Sequence, residues 1–146
     1  MSAPIPFGHP VPFIEHLGMR LMRWEEGASG IEFDPKPEHL NSLGVTHGGA
    51  LMTLLDVTLA RACRSPADEV QVVTIELKTN FMRAAAGPLR GEGRLLHRSA
   101  TLAFAEGTVY DASGKACAHA TGTFKYVRRL PEQARAERRG AAAAGA

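Results

Sequence analysis

The sequence predicts an α+β domain in which one long, buried helix is wrapped by an antiparallel sheet. Three observations carry this. Between His47 and about Arg64 there is no proline, glycine occurs only at the start, and Ala, Leu and Met dominate, which favours a helix of roughly five turns. After Pro66-Ala67-Asp68 the hydrophobic period changes from helical to two, through segments near 70–82, 89–97, 101–111 and 115–127. The joints between those segments are short and carry turn residues, Ala86-Gly87-Pro88, Arg98-Ser99 and Ser113-Gly114, as an antiparallel meander requires.

The chain of 146 residues is one domain in size. We place that domain at 1–130 and treat 131–146, which ends in AAAAGA, as a low-complexity tail, disordered or loosely helical. Hydrophobic residues make up 45% and charged residues 22%, enough apolar content for a real core. The net charge of +2 is too weak to signal a nucleic-acid or membrane surface. Cys63 and Cys117 form no CxxC pair, so neither a disulfide framework nor a zinc site is expected. The apolar run 50–60 contains Asp56 and is far shorter than the ~20 residues of a membrane span. The proline-rich N-terminus lacks the pattern of an export signal, so a cytoplasmic protein with free thiols is expected.

Element by element, residues 13–17 allow a turn or two of helix before Gly18, a lid or prop. Met19–Trp24 and Ile31–Phe33 read as two strands around a glycine-containing turn. The long helix is apolar nearly all round, with Arg61 and Arg64 at its C-terminal end where they suit the dipole, so we expect it to be enclosed. In the last strand Ala116, Ala118, Ala120 and Gly122 share a face, so a helix axis can approach closely there. Val73, Ile75, Leu77 and Phe81 form a bulky face able to fill the remaining space. A single sheet with one helix leaves an edge and an outer face uncovered, which self-association would cover.

Asp56 is the most informative residue. It shares a stripe with Met52, Leu59, Ala60 and Cys63 in the middle of the helix. A carboxylate among aliphatics needs hydrogen-bond donors or becomes neutral, so Asp56 is either tied to nearby backbone or Thr53, or part of a functional site. Immediately upstream, Asn41-Ser-Leu-Gly44-Val-Thr46-His47-Gly48-Gly49 runs into the helix. Two glycines on a first helical turn cost roughly 1 kcal/mol each relative to alanine. They suit a close approach to free N–H groups that could stabilise an oxyanion. The alternative is a plain tight turn with Thr46 as N-cap. His47 alone reads as a hydrogen-bond partner that shapes this turn, and Thr74, in phase with Val72, Glu76 and Lys78, as a surface residue. His97 and His119 lack ligand-spaced partners, so no metal is expected; His9, His16 and His39 read as solvated.

The pattern Asn41-x2-Gly44-x2-His47-Gly48-Gly49, with Asp56 seven residues after the second glycine, resembles the PaaI-type branch of the hotdog-fold acyl-CoA thioesterases. The likeness spans about residues 13–127 and includes 73–77 and 96–104. It implies a hotdog fold and hydrolysis of an acyl- or aryl-acyl-CoA, phenylacetyl-CoA derivatives among them, to a free acid and coenzyme A. No cofactor is implied, coenzyme A being part of the substrate. Carried across, Asp56 activates water or attacks the thioester, the Gly48 N–H with Asn41 polarises the carbonyl, His47 belongs to the same turn, and Thr74 helps hold the water. Arg98 and Ser99, with Arg83 behind them, correspond to the nucleotide contacts; Arg90, Arg94, Arg128 and Arg129 are further cations. The resemblance also implies a homodimer assembling to a homotetramer, with Asn41 and Gly48 of one subunit facing Asp56 and Thr74 of its mate.

Two other functions remain open at this stage: a non-hydrolytic acyl-CoA-binding or regulatory module, and a dehydratase or hydratase, whose Asp/His pairing is not found here. Met52, Leu55, Leu59, Trp24 and Phe13 could line an acyl pocket or simply form core. Gly91-Glu92-Gly93-Arg94 stops short of a phosphate-binding loop, which argues against ATP or NAD.

Overall fold

The alternating segments form six strands, β1 (Arg20–Glu25), β2 (Ala28–Phe33), β3 (Gln71–Phe81), β4 (Leu89–Arg98), β5 (Leu102–Asp111) and β6 (Ala116–Val127). The helices are α1 (Pro12–Leu17), α2 (Gly48–Ala62) and α3 (Glu132–Ala144). The computed structural model describes residues 2–67, 69–127 and 132–145. All six strands join one antiparallel sheet in the order β1-β2-β4-β5-β6-β3.

Glycines set how closely α2 approaches that sheet. A Cβ on Gly91 would lie 2.6 Å from Thr58 Oγ1, one on Gly93 3.0 Å from the Thr58 carbonyl, and one on Gly107 2.5 Å from Leu59 Cδ1. With Ala118, Ala120 and Gly122 on β6 these positions form a shallow groove in which α2 is seated. The small face expected on the last strand is thus present and extends across β4 and β5, and Gly91 and Gly93 serve packing. Leu54, Leu55 and Leu59 are fully buried against it, each burial contributing about 1.5–3 kcal/mol before entropy costs.

Three expectations are corrected. The four later segments are not one meander, because β3 pairs with β6 at the sheet edge and only β4-β5-β6 run consecutively. The link at residues 82–88 crosses the ends of β6 and β5; seven extended residues reach roughly 23 Å, against roughly 14 Å for three strand spacings. Nor is α2 enclosed all round: Met52 is exposed, and Thr53, Asp56 and Ala60, on the same stripe, are only half-buried. The bulky face of β3 does not fill the core, since Val73, Ile75 and Phe81 are exposed and Leu77 alone packs inward. The tail differs from the disordered alternative: Glu132–Ala144 is helical, as its alanine, glutamate and arginine content favours.

Candidate functional site

The turn before α2 is built by Asn41. Its Oδ1 accepts from the backbone N–H of Leu43 (2.9 Å) and of Val45 (3.3 Å), while Gly44 supplies the left-handed residue at φ 75°. This fixes the amide plane and leaves the Nδ2 hydrogens as the group Asn41 can offer a ligand. The N-cap is His47, not Thr46: His47 Nδ1 accepts from the Gly49 N–H at 2.8 Å, which places the imidazole proton on Nε2 when the ring is neutral. Thr46 is buried instead, its N–H donating to the Ala85 carbonyl. The two glycines have separate roles. A Cβ on Gly49 would press on the capping ring at 3.0 Å, whereas one on Gly48 would meet only the Phe81 ring at an ordinary 3.4 Å. Nothing within the protomer therefore requires glycine at position 48.

Asp56 lies two turns further along α2. Its Oδ1 accepts from Thr74 Oγ1 at 2.6 Å. Thr74 is exposed in the protomer, as the strand phase predicts, but a β-bulge turns it to the helix side of β3: Thr74 pairs with Phe124 but Glu76 with Thr123, so Ile75 is the extra residue. Before the bulge Val72 and Thr74 face the helix; after it Leu77 does. The sequence holds no glycine or proline that announces this irregularity.

Asp56 and Thr74 line a cleft of about 360 Å³ between α2, β3 and the N-terminal segment. Its apolar wall includes Val11, Phe13, Ile14, Val57, Ala60 and Val72. Of the acyl-pocket candidates only Phe13 lies in this wall. Leu55 and Leu59 are core, and Trp24 sits at the C-terminal end of α2, donating from Nε1 to the carbonyls of Arg61 and Arg64. Sequence reasoning missed four polar residues in the cleft: His9, Gln71, Arg61 and Arg64. The stripe 56/57/60/61 on α2, continued by residue 64 just past its end, is the signal that could have revealed the arginines. His9 is not simply solvated, lying 3.4 Å from Gln71, and His39 is buried, its Nδ1 accepting from the Lys36 N–H and its ring against Phe33.

Asn41, His47 and Gly48 are absent from this wall. Eight residues of helix separate Gly48 from Asp56, about 12 Å along the axis, so one protomer cannot bring both to the same carbonyl. The nucleotide candidates are likewise split. Arg98 lies over the Tyr126 ring at 4.5 Å beside Ser99, whose Oγ accepts from the N–H of Thr101 and of Leu102. Arg83 is at the opposite end of β5 and β6, its N–H on the Cys117 carbonyl, roughly 23 Å away along the strands. Arg90 and Arg94 pair with Glu92 and Glu106 on the sheet, and Arg128 and Arg129 lie outside the described residues. Both cysteines are free and buried, and burial pushes the Cys63 thiol up to about 12, which leaves it a poor nucleophile. Among the described residues no cluster of three His, Cys, Asp or Glu side chains is placed to hold a metal, and no helix is long and apolar enough to cross a membrane.

One helix cradled by a six-stranded antiparallel sheet, with an acid on its open stripe, is the hotdog architecture. Residues 43–118 match the Thioesterase superfamily. The "Putative esterase SSO2140" of Saccharolobus solfataricus is 34% identical over 120 residues, covering 82% of this chain and 85% of that protein. The conserved protein PA5202 of Pseudomonas aeruginosa superposes with a TM-score of 0.76 at 32% identity, over 81% of this chain and 95% of that one. The Escherichia coli PaaI protein, from the phenylacetic acid degradation operon, shares the fold with a TM-score of 0.74 at 20% identity, over 79% and 83% of the two chains. This chain belongs to the thioesterase superfamily, a membership that supports a thioester hydrolase.

Proposed function

We propose that the protein hydrolyses acyl-coenzyme A thioesters at a site shared by two protomers of a homodimer, with dimers pairing into tetramers. The observation that carries this reading is the Thr74–Asp56 hydrogen bond on the wall of an apolar cleft. The Gly48 amide that would complete the site lies about 12 Å away on the same helix. A second copy would supply it, and the exposed Met52, Val73, Ile75 and Phe81 give that copy apolar surface to cover.

In the reaction, Asp56 drives addition of an oxygen nucleophile to the thioester carbon, either by taking a proton from water or by attacking directly to form an anhydride. The electron pair moves onto the carbonyl oxygen, where the mate's Gly48 N–H and Asn41 Nδ2 donate to it. Collapse breaks the C–S bond and the thiolate takes up a proton; on the water route the acid is then free, and on the direct route water hydrolyses the anhydride to release the acid and restore the Asp56 carboxylate. Thr74 holds Asp56 Oδ1, which leaves the other carboxylate oxygen for the chemistry. His47 positions the glycine turn, and Arg98 and Ser99 offer donors for the nucleotide phosphates, with Arg83 a more distant cation.

Turnover of phenylacetyl-, benzoyl- and C6 to C12 acyl-CoAs by the wild type, Asp56→Asn and Asp56→Ala tests this. Both variants should lose about two or more orders of magnitude while keeping the wild-type melting curve. Near-full hydrolysis by Asp56→Ala would remove Asp56 from the mechanism. Acyl-CoA binding by the wild type without product would identify a binding module instead.

A further inference from the structure

Beside Asp56 the cleft wall presents two hydroxyl groups whose protons are already placed. Thr53 and Thr74 both line the cleft with Asp56. Thr53 Oγ1 donates to the Gly49 carbonyl at 2.9 Å and Thr74 Oγ1 to Asp56 Oδ1 at 2.6 Å, and neither a carbonyl nor a carboxylate can donate in return. Thr53 is therefore not the local partner of Asp56 that the sequence allowed. What its oxygen has left for the cleft is lone pairs.

We infer that Thr53 is a further catalytic residue, its hydroxyl oxygen accepting one hydrogen bond from the attacking water while Asp56 accepts the other. The inference rests on the proposed hydrolase site and deepens it, taking the water route of the two open to Asp56. Thr53 precedes Asp56 by three residues, which places their Cβ atoms about 5–6 Å apart on one helix face, and the Asp56 side chain leans back toward that turn. Two hydrogen bonds of about 2.8 Å that meet at a water span about 4.5 Å, a distance such a pair provides. Thr74 holds Oδ1, so Oδ2 is the oxygen left to take part. With both of its protons engaged, the water turns its lone pairs away from the helix and toward the thioester. The thioester carbonyl oxygen meets only acceptors in these three groups, so it turns to the N–H donors of the mate. Attack forms the C–O bond as one proton passes to Asp56; the carbonyl pair returns, the C–S bond breaks, and Asp56 gives that proton to the thiolate. Water brings two protons and uses both acceptors. An alcohol brings one and needs only Asp56.

The experiment follows the full chain acting on phenylacetyl-, benzoyl- and hexanoyl-CoA with and without added methanol, and measures free acid against methyl ester. Thr53→Val keeps the side-chain shape and removes the acceptor. A threonine bonded to its own i−4 carbonyl adds nothing to helix stability, so the melting midpoint should not fall. For hydrolysis kcat should fall about three- to tenfold with KM unchanged, the ester-to-acid ratio should rise by the same factor, and Thr53→Ser should restore both. A ratio that stays constant while both products fall together would make Thr53 a structural residue of the first helical turns and overturn the inference. So would a valine variant within about twofold of wild type. If neither wild type nor the valine variant forms methyl ester, the kcat loss at constant KM and its rescue by serine decide in the same two directions. A wild type that cleaves none of the three thioesters ends the hydrolase reading and this inference together, whereas an inactive Asp56→Ala beside an unimpaired Thr53→Val ends this inference alone.

Discussion

Replacing Thr74 by valine isolates the contact on which the site is built. The side chain keeps its shape and branching while the 2.6 Å hydrogen bond to Asp56 disappears. A hydrogen bond to a charged group contributes about 1.5–3 kcal/mol. Thr74 is exposed in the protomer, so solvent competes and about 1–1.5 kcal/mol is the appropriate figure. If that orientation is used in the transition state, kcat/KM should fall about five- to twelvefold. Stability should hardly change, because valine suits a strand as well as threonine does. Release of free coenzyme A, followed with a thiol-reactive dye, gives the rate, and Thr74→Ser should restore most of it. A valine variant within twofold of wild type, or a serine variant as impaired as valine, would refute a role for this hydroxyl.

Two further outcomes test the scaffold. Gly107→Ala sets a Cβ 2.5 Å from Leu59 Cδ1 and 2.8 Å from the Glu92 carbonyl, so thermal unfolding should show a loss of about 1–3 kcal/mol and about 3–10 °C; an unchanged melting temperature would mean that α2 does not sit this close to the sheet. The Glu106 carboxyl is held below its usual range by the hydrogen bond from Arg94, with the Arg94 and His119 charges adding to it. A lowered folded value gives stability that is present above the ordinary carboxylate range and is lost as pH falls through the folded value, so the advantage of wild type over Glu106→Gln, measured by melting near pH 7, should shrink steadily as pH is lowered below the ordinary carboxylate range. An advantage that grows on acidification would reverse the assigned sign.

Periodicity made α2 and all six strands legible, since a proline-free run of Ala, Leu and Met and four alternating segments leave little choice of local structure. Strand order was not legible. The link at residues 82–88 has the length of a hairpin connection and of an end-crossing alike, and only the pairing of β3 with β6 decides between them. The open stripe of α2 was hidden because Met52, Thr53 and Ala60 suit a covered or an uncovered face equally. Thr74 shows the limit of phase arguments, since it is exposed as the phase predicts and yet, with one extra residue at Ile75, lies on the helix side of β3 as the partner of Asp56. The family pattern alone had placed Thr74 beside Asp56, because a motif carries geometry that alternation cannot. Arg61 and Arg64 were read through the helix dipole, which gave no sign that they would line the cleft.

A site shared between protomers is most directly tested by mixing two inactive variants. Asp56→Ala removes the acid. Gly48→Pro removes the N–H at the first helical position, where proline is tolerated and where the extended His47 (φ −60°, ψ 138°) can precede it. Each alone should lose about a hundredfold or more in turnover. In a mixed dimer one of the two sites pairs an intact Asp56 with an intact Gly48, so an unfolded and refolded equal mixture should recover about a quarter of wild-type activity. A refolded mixture no more active than the average of its parents would contradict the shared site.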